Sequence, residues 1–94
     1  MAEIDARLAA IAERFAAAAG ESAAAIEAAL GRKDWSELAL LCHSLAGRAG
    51  MFGYADIGDA ARSVEEALTA GHSGSAVVTL TQDLLARMAP LDRS

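Results

Sequence analysis

Eighty-nine residues pass before the first proline, Pro90, and alanine fills 25 of the 94 positions. Proline locks φ and removes a backbone donor, so it is the strongest helix breaker. Alanine is the best helix former. A chain with so much of one and almost none of the other, and with few β-branched residues, is confined to an all-α fold. Its length sets the scale. Ninety-four residues make one domain, 1–94, and a chain of this size buries about 60–65% of the surface its unfolded form exposes. That leaves no room for a second module or a large internal cavity.

The apolar residues recur with the helical period. Ile4, Leu8, Ile11 and Phe15 form one stripe, which resumes at Ile26 and Leu30. Residues 3–30 therefore read as helical. Gly20 is a candidate break and Ser22 a candidate cap, which leaves one helix or two open. The segment 31–34, "GRKD", reads as a turn. Asp34 caps the next helix, with Glu37 three residues on completing a capping box. That helix runs from Trp35 to Met51, with Leu38, Leu41, Cys42, Leu45, Ala49 and Phe52 inward and Met51 read as core at its end. A bend near Gly53 leads to a helix over 55–70 with Ile57, Ala61, Val64 and Leu68 inward. "AGHSGS", 70–75, is a loop. A last helix over 76–88 buries Val77, Leu80 or Thr81, Leu84 and Met88, and Pro90 marks its end. Short turns between amphipathic helices predict an antiparallel up-down four-helix bundle with an N-terminal helical extension.

One stretch departs from the alanine economy. "LCHSLAGRAGMFG", 41–53, carries glycine at 47, 50 and 53 and a histidine, His43. Gly53 serves the bend. Gly47 and Gly50 together cost about 2 kcal/mol of helix propensity, a large share of the about 5–15 kcal/mol that holds a small domain together. At about 100° per residue, His43 lies about 150° from the apolar stripe and faces solvent. Ser36, Ala39, Leu40, Ala46, Gly47 and Gly50 share that outer face. The reading is that bulk has been cleared so that something large can approach His43. The competing reading, close packing of a neighbouring helix, suits an inward face better.

The remaining residues narrow the function. A net charge of −5 with scattered basic residues excludes a nucleic-acid surface. The acidic start "MAEIDARLAA" is unlike a secretory signal, and no stretch approaches the length of a membrane span. The single cysteine, Cys42, permits no internal disulfide and falls on the inward stripe. These features lead us to expect a cytoplasmic protein. With two distant histidines and one cysteine, no metal site is expected. His72 reads as solvated, and the convergent polar groups of an enzyme site are lacking.

The run His43, Ser44, Leu45, Ala46, Gly47, with Gly50 and Gly53 beyond, resembles the signature of the histidine-containing phosphotransfer (HPt) domain family. Ile57, Ala61, Val64 and Glu65 resemble its downstream pattern, and "ALGRKDWSELALLCH" its lead-in. The likeness is strongest over 26–68. The resemblance implies a phosphocarrier without an ATP site or cofactor of its own. His43 would take a phosphoryl group from the aspartate of a response-regulator receiver domain or from a hybrid histidine kinase and pass it to another receiver aspartate. Mg²⁺ would sit on the receiver. It further implies that Nε2 of His43 is the nucleophile and that Glu65 accepts from Nδ1–H, fixing the tautomer. The family's lysine is Ala46 here, with Arg48, Arg62 or Lys33 as candidate substitutes. Ala39, Leu40, Ala46, Gly47 and Gly50 form the expected docking patch, with Ser44 and Arg48 at its rim. The expected state is a monomer. Ala46 keeps a second reading open, a helical adaptor that docks on a receiver or kinase without accepting phosphate.

Overall fold

A computed structural model describes the backbone of residues 2–92 and the side chains of residues 7, 9–10 and 13–91. Ile4, Leu8 and Ile11 lie outside the described side chains. Four helices follow one another: α1 (Ala2–Arg32), α2 (Trp35–Met51), α3 (Ala55–Thr69) and α4 (Ser75–Asp92). Contacts join α1 to α2, α2 to α3, α3 to α4 and α4 back to α1. The short links make neighbours antiparallel, so this is an up-down bundle closed as a square. No described helix is long and apolar enough to cross a membrane.

Helix α1 is continuous through Gly20, which is half-buried inside it. The alanines on both sides, 16–19 and 23–25, offset the cost of one glycine. At 1.5 Å per residue its 31 residues span about 46 Å, and the molecule measures 47 Å along its longest axis. The other helices, of 15 to 18 residues, are about half as long. Phe15 marks where α1 leaves the bundle: its ring packs 5.8 Å from that of Phe52 and 5.0 Å from that of Tyr54, in the α2–α3 turn. Beyond it, Ala9, Ala10, Glu13 and Arg14 are exposed.

The core draws on every helix. Ile26 and Ala29 meet Leu38, Cys42, Leu45 and Ala49, with Ile57, Ala61 and Val64 from α3 and Val77, Leu84 and Met88 from α4. Thr81, not Leu80, takes the fully buried position in α4. Its hydroxyl donates to Val77 O at 2.7 Å, so no polar atom is left without a partner there. Two sequence expectations are corrected. Helix α4 does not stop at Pro90 but continues to Asp92, because proline's fixed φ suits a helix and half-buried Leu91 packs on the core beyond it. Met51 is not core but 75% exposed, because it lies on the outer side of α2, away from both flanking helices.

Each inter-helix turn closes in the same way. An amide just past each helix reaches back five residues to an alanine carbonyl: Asp34 to Ala29 O, Tyr54 to Ala49 O and His72 to Ala67 O, at 2.8–2.9 Å. These are Schellman closures, which need a left-handed residue between. Gly53 (φ 87°) and Gly71 (φ 88°) fill that place in two of them, and Lys33 (φ 56°) in the first. Asp34 then caps α2, its Oδ1 accepting from Glu37 N–H at 3.2 Å. A lysine in this region carries a strain of about 1 kcal/mol that glycine does not. Lys33→Gly should therefore raise stability by up to about 1 kcal/mol, or about 4–8 °C in Tm for a chain this small. Thermal unfolding of the two proteins checks this, and an unchanged midpoint would show that Lys33 is not strained.

Candidate functional site

His43 sits midway along α2, at the lip of the groove between α2 and α3. Its side chain is 74% exposed. Across the groove Glu65, on α3, places Oε2 2.6 Å from His43 Nδ1. Glu65 itself is only 29% exposed. An ionised carboxylate only accepts hydrogen bonds, so Nδ1 carries the proton in this contact. In the neutral ring that leaves the lone pair on Nε2, on the solvent side.

The approach of the two helices makes the contact possible. A Cβ at Gly58 would stand 3.4 Å from Ala46 O, 3.5 Å from Gly50 N and 3.7 Å from Ala49 Cβ. The backbones of α2 and α3 thus meet with room for no more than a methyl group. Gly50 faces Gly58 and His43 faces Glu65, seven residues further along each helix in opposite directions. The antiparallel register holds without slip over two turns.

Around the imidazole the surface is bare. A Cβ at Gly47 or Gly50 would meet nothing within 4 Å, so both Cβ directions open outward, although the Gly50 backbone lies beside Gly58. Ser44 is exposed and Leu40 is 66% exposed. Leu40, Ser44, Gly47 and Met51 run along one outer stripe of α2, apolar at both ends and bare in the middle. Arg48 is exposed on the other flank, its Nε donating to Ser44 O at 3.5 Å. Ala39 is half-buried and lines a shallow depression with Trp35, Ser36, Leu68 and Thr69, one turn along the groove from His43.

Ala46 is the correction. It was expected on the outer face, but it is buried, 6% exposed, under α3. It lies on the flank of the stripe that α3 covers, with its carbonyl against Gly58. It can offer nothing to a docking partner. Gly58 itself was missed in the sequence, although small residues at 46, 49 and 50 and a glycine at 58 were a readable sign of close packing.

Beneath the site, Cys42 is fully buried. Burial first, and the Glu65 carboxylate second, push its thiol from an ordinary 9.0 up to about 12. Among the described residues no group of His, Cys, Asp and Glu converges as a metal would require.

The molecule is thus a helical bundle that displays one carboxylate-tied imidazole on a cleared helix face. The family model described as the Hpt domain matches residues 10–92, and the chain belongs to that family. No curated protein and no solved structure matches it. Membership gives the chain a phosphotransfer role in two-component signalling, as a carrier module that works among receiver domains and kinases.

The buried thiol has a measurable consequence. Below pH 9 it is protonated in both folded and unfolded chains and adds no pH dependence. Between about pH 9 and 12 only the unfolded chain ionises, so stability falls as pH rises, by up to about 1.4 kcal/mol per unit. In Cys42→Ala that component vanishes. Urea unfolding at pH 8, 9, 10 and 11 should show the stability gap between wild type and variant narrowing above pH 9. A constant gap would mean that the thiol ionises alike in both states.

Proposed function

We propose that His43 is the phosphoacceptor and that Glu65 orients it. The observation that carries this reading is the pair itself: an exposed imidazole whose inner nitrogen is held 2.6 Å from a half-buried carboxylate. With its proton on Nδ1, the ring directs the Nε2 lone pair outward. Nε2 attacks the phosphorus of a receiver's aspartyl phosphate or of a kinase's phosphohistidine. The N–P bond forms as the donor's P–O or P–N bond breaks, and the electron pair leaves with the donor. The ring becomes cationic, and Glu65 stabilises it while keeping the Nδ1 proton. The same steps in reverse hand the group to a second receiver.

The bundle needs little else. Catalytic Mg²⁺ belongs to the receiver in this reading. Leu40, Gly47 and Gly50, with Ser44 and Arg48 at the edge, form the surface on which the partner's active site seats, and half-buried Ala39 joins it to the depression at the groove's end. We expect the carrier to act as a monomer in the cytoplasm.

Incubation with a phosphorylated receiver, or with a kinase and ATP, should yield label that is acid-labile and alkali-stable, and His43→Gln should abolish it. Label retained in that variant would place the acceptor elsewhere. Stable complexes with a receiver but no label under any donor would favour the adaptor reading. Glu65→Ala should slow transfer at least about tenfold while binding persists; an unchanged rate would remove Glu65 from the mechanism.

Gly47→Leu separates folding from access. The space beyond Gly47 is open, so the variant should be more stable, by up to about 1 kcal/mol of helix propensity, yet transfer poorly. Normal transfer from this variant would contradict the need for a cleared face.

A further inference from the structure

A phosphoryl group on His43 brings about −1.5 to −2 charges to a groove that already holds the Glu65 carboxylate. Like charges at that distance oppose each other unless a cation lies near. We infer that Arg62 is that cation: it neutralises the phosphoryl group carried by His43, reaching over the α2–α3 groove from the helix opposite. This rests on His43 being the phosphoacceptor.

The register of the two helices carries the inference. His43 faces Glu65 and Gly50 faces Gly58, so position 62 falls opposite position 46. Arg62 is three residues before Glu65 on α3, hence on the same side of that helix, one turn along the groove. Opposite it stands Ala46, buried and without atoms beyond Cβ. Nothing on α2 walls the arginine off from the imidazole, which lies one turn away.

Arg62 is also free to move. Its side chain is 57% exposed and meets Asp59 through one contact of 3.3 Å, with Asp59 itself 73% exposed. Exposed pairs of this kind hold weakly. A phosphoryl group offers three acceptor oxygens and more charge, and a guanidinium binds it in bidentate fashion. The partner exchange is therefore favourable once His43 is loaded.

Three other described cations are placed elsewhere. Arg48 reaches back to Ser44 O on the far flank of α2. Arg87 is held by Asp83 at 3.1 Å and donates to Asp56 O at 3.2 Å, on the side of α4. Lys33 precedes α2, and His43 lies about 12 Å along that helix from its first residue.

The test uses the whole protein and phosphoramidate, a small phosphodonor that brings no partner cation of its own. Phosphorylation of His43 is followed by ³¹P NMR, and the phosphoryl resonance is then titrated with pH. Arg62→Ala should slow phosphorylation about fivefold and raise the midpoint of the phosphoryl group's last ionisation by about half a unit. Arg62→Lys should retain most of the wild-type behaviour. Asp59→Ala, which releases the arginine, should shift the midpoint the other way. If Arg62→Ala is phosphorylated and titrates like wild type, the inference is wrong. If wild type takes no phosphoryl group on His43, the proposed function itself fails, whatever Arg62 does.

Discussion

Helix α3 lies against α2 at Gly58, where backbone faces backbone with space for a methyl group at most. The rest of the site follows from that approach. A larger residue at 58 would hold the helices apart by a side chain's width. The 2.6 Å contact between His43 and Glu65, two turns along, has no such slack, since a hydrogen bond is lost by about 3.5 Å. Small residues at 46, 49 and 50 on α2 meet Gly58 on α3 to make the seam. Polar chemistry begins where that seam ends. The imidazole is therefore positioned by packing one helical turn and more away from it, as well as by its own hydrogen bond.

A bare face on α2 is affordable because the opposite face is so well buried. Leu38, Cys42, Leu45 and Ala49 are all at or near zero exposure, and each buried aliphatic contributes about 1.5–3 kcal/mol. That outweighs the propensity lost at Gly47 and Gly50. The ends of α2 are held locally as well, by the Asp34 cap at one end and the Tyr54–Ala49 closure at the other. The helix can thus stay rigid while two of its outer positions contribute no side chain at all.

Much of this was legible in the sequence, and the gaps have physical causes. The inward stripe of α2 and the outward direction of His43 follow from helical geometry alone, because angles around one helix do not depend on its neighbours. Ala46 was misplaced for the complementary reason. It lies about 70–80° from the centre of the stripe, and periodicity does not say which flank a neighbouring helix will cover. Here α3 covers the flank of Ala46, whereas Met51 lies on the outer side beyond both covered flanks. Gly20 is a candidate break and Pro90 a stop in the sequence because each disfavours a helix in isolation. Flanking alanines in one case, and the packing of Leu91 in the other, decide the outcome. Lys33 in a left-handed conformation had no signal, since the Schellman closure there is made by a residue type that rarely adopts it.

The two nitrogens of the imidazole divide the work, and burial expresses the division. Nδ1 faces a carboxylate that is more than two-thirds buried, where the lowered dielectric strengthens the hydrogen bond. Nε2 faces water on the bare side. A more deeply buried histidine would hold its tautomer more firmly, yet no partner's active site could reach it. A fully exposed one, without Glu65, would rotate and lose its preferred tautomer. The groove lip is the position that satisfies both demands. It also explains why the orienting carboxylate belongs to α3 rather than to α2: a residue one turn away on the same helix would share the outer face and crowd the space that Gly47 leaves open.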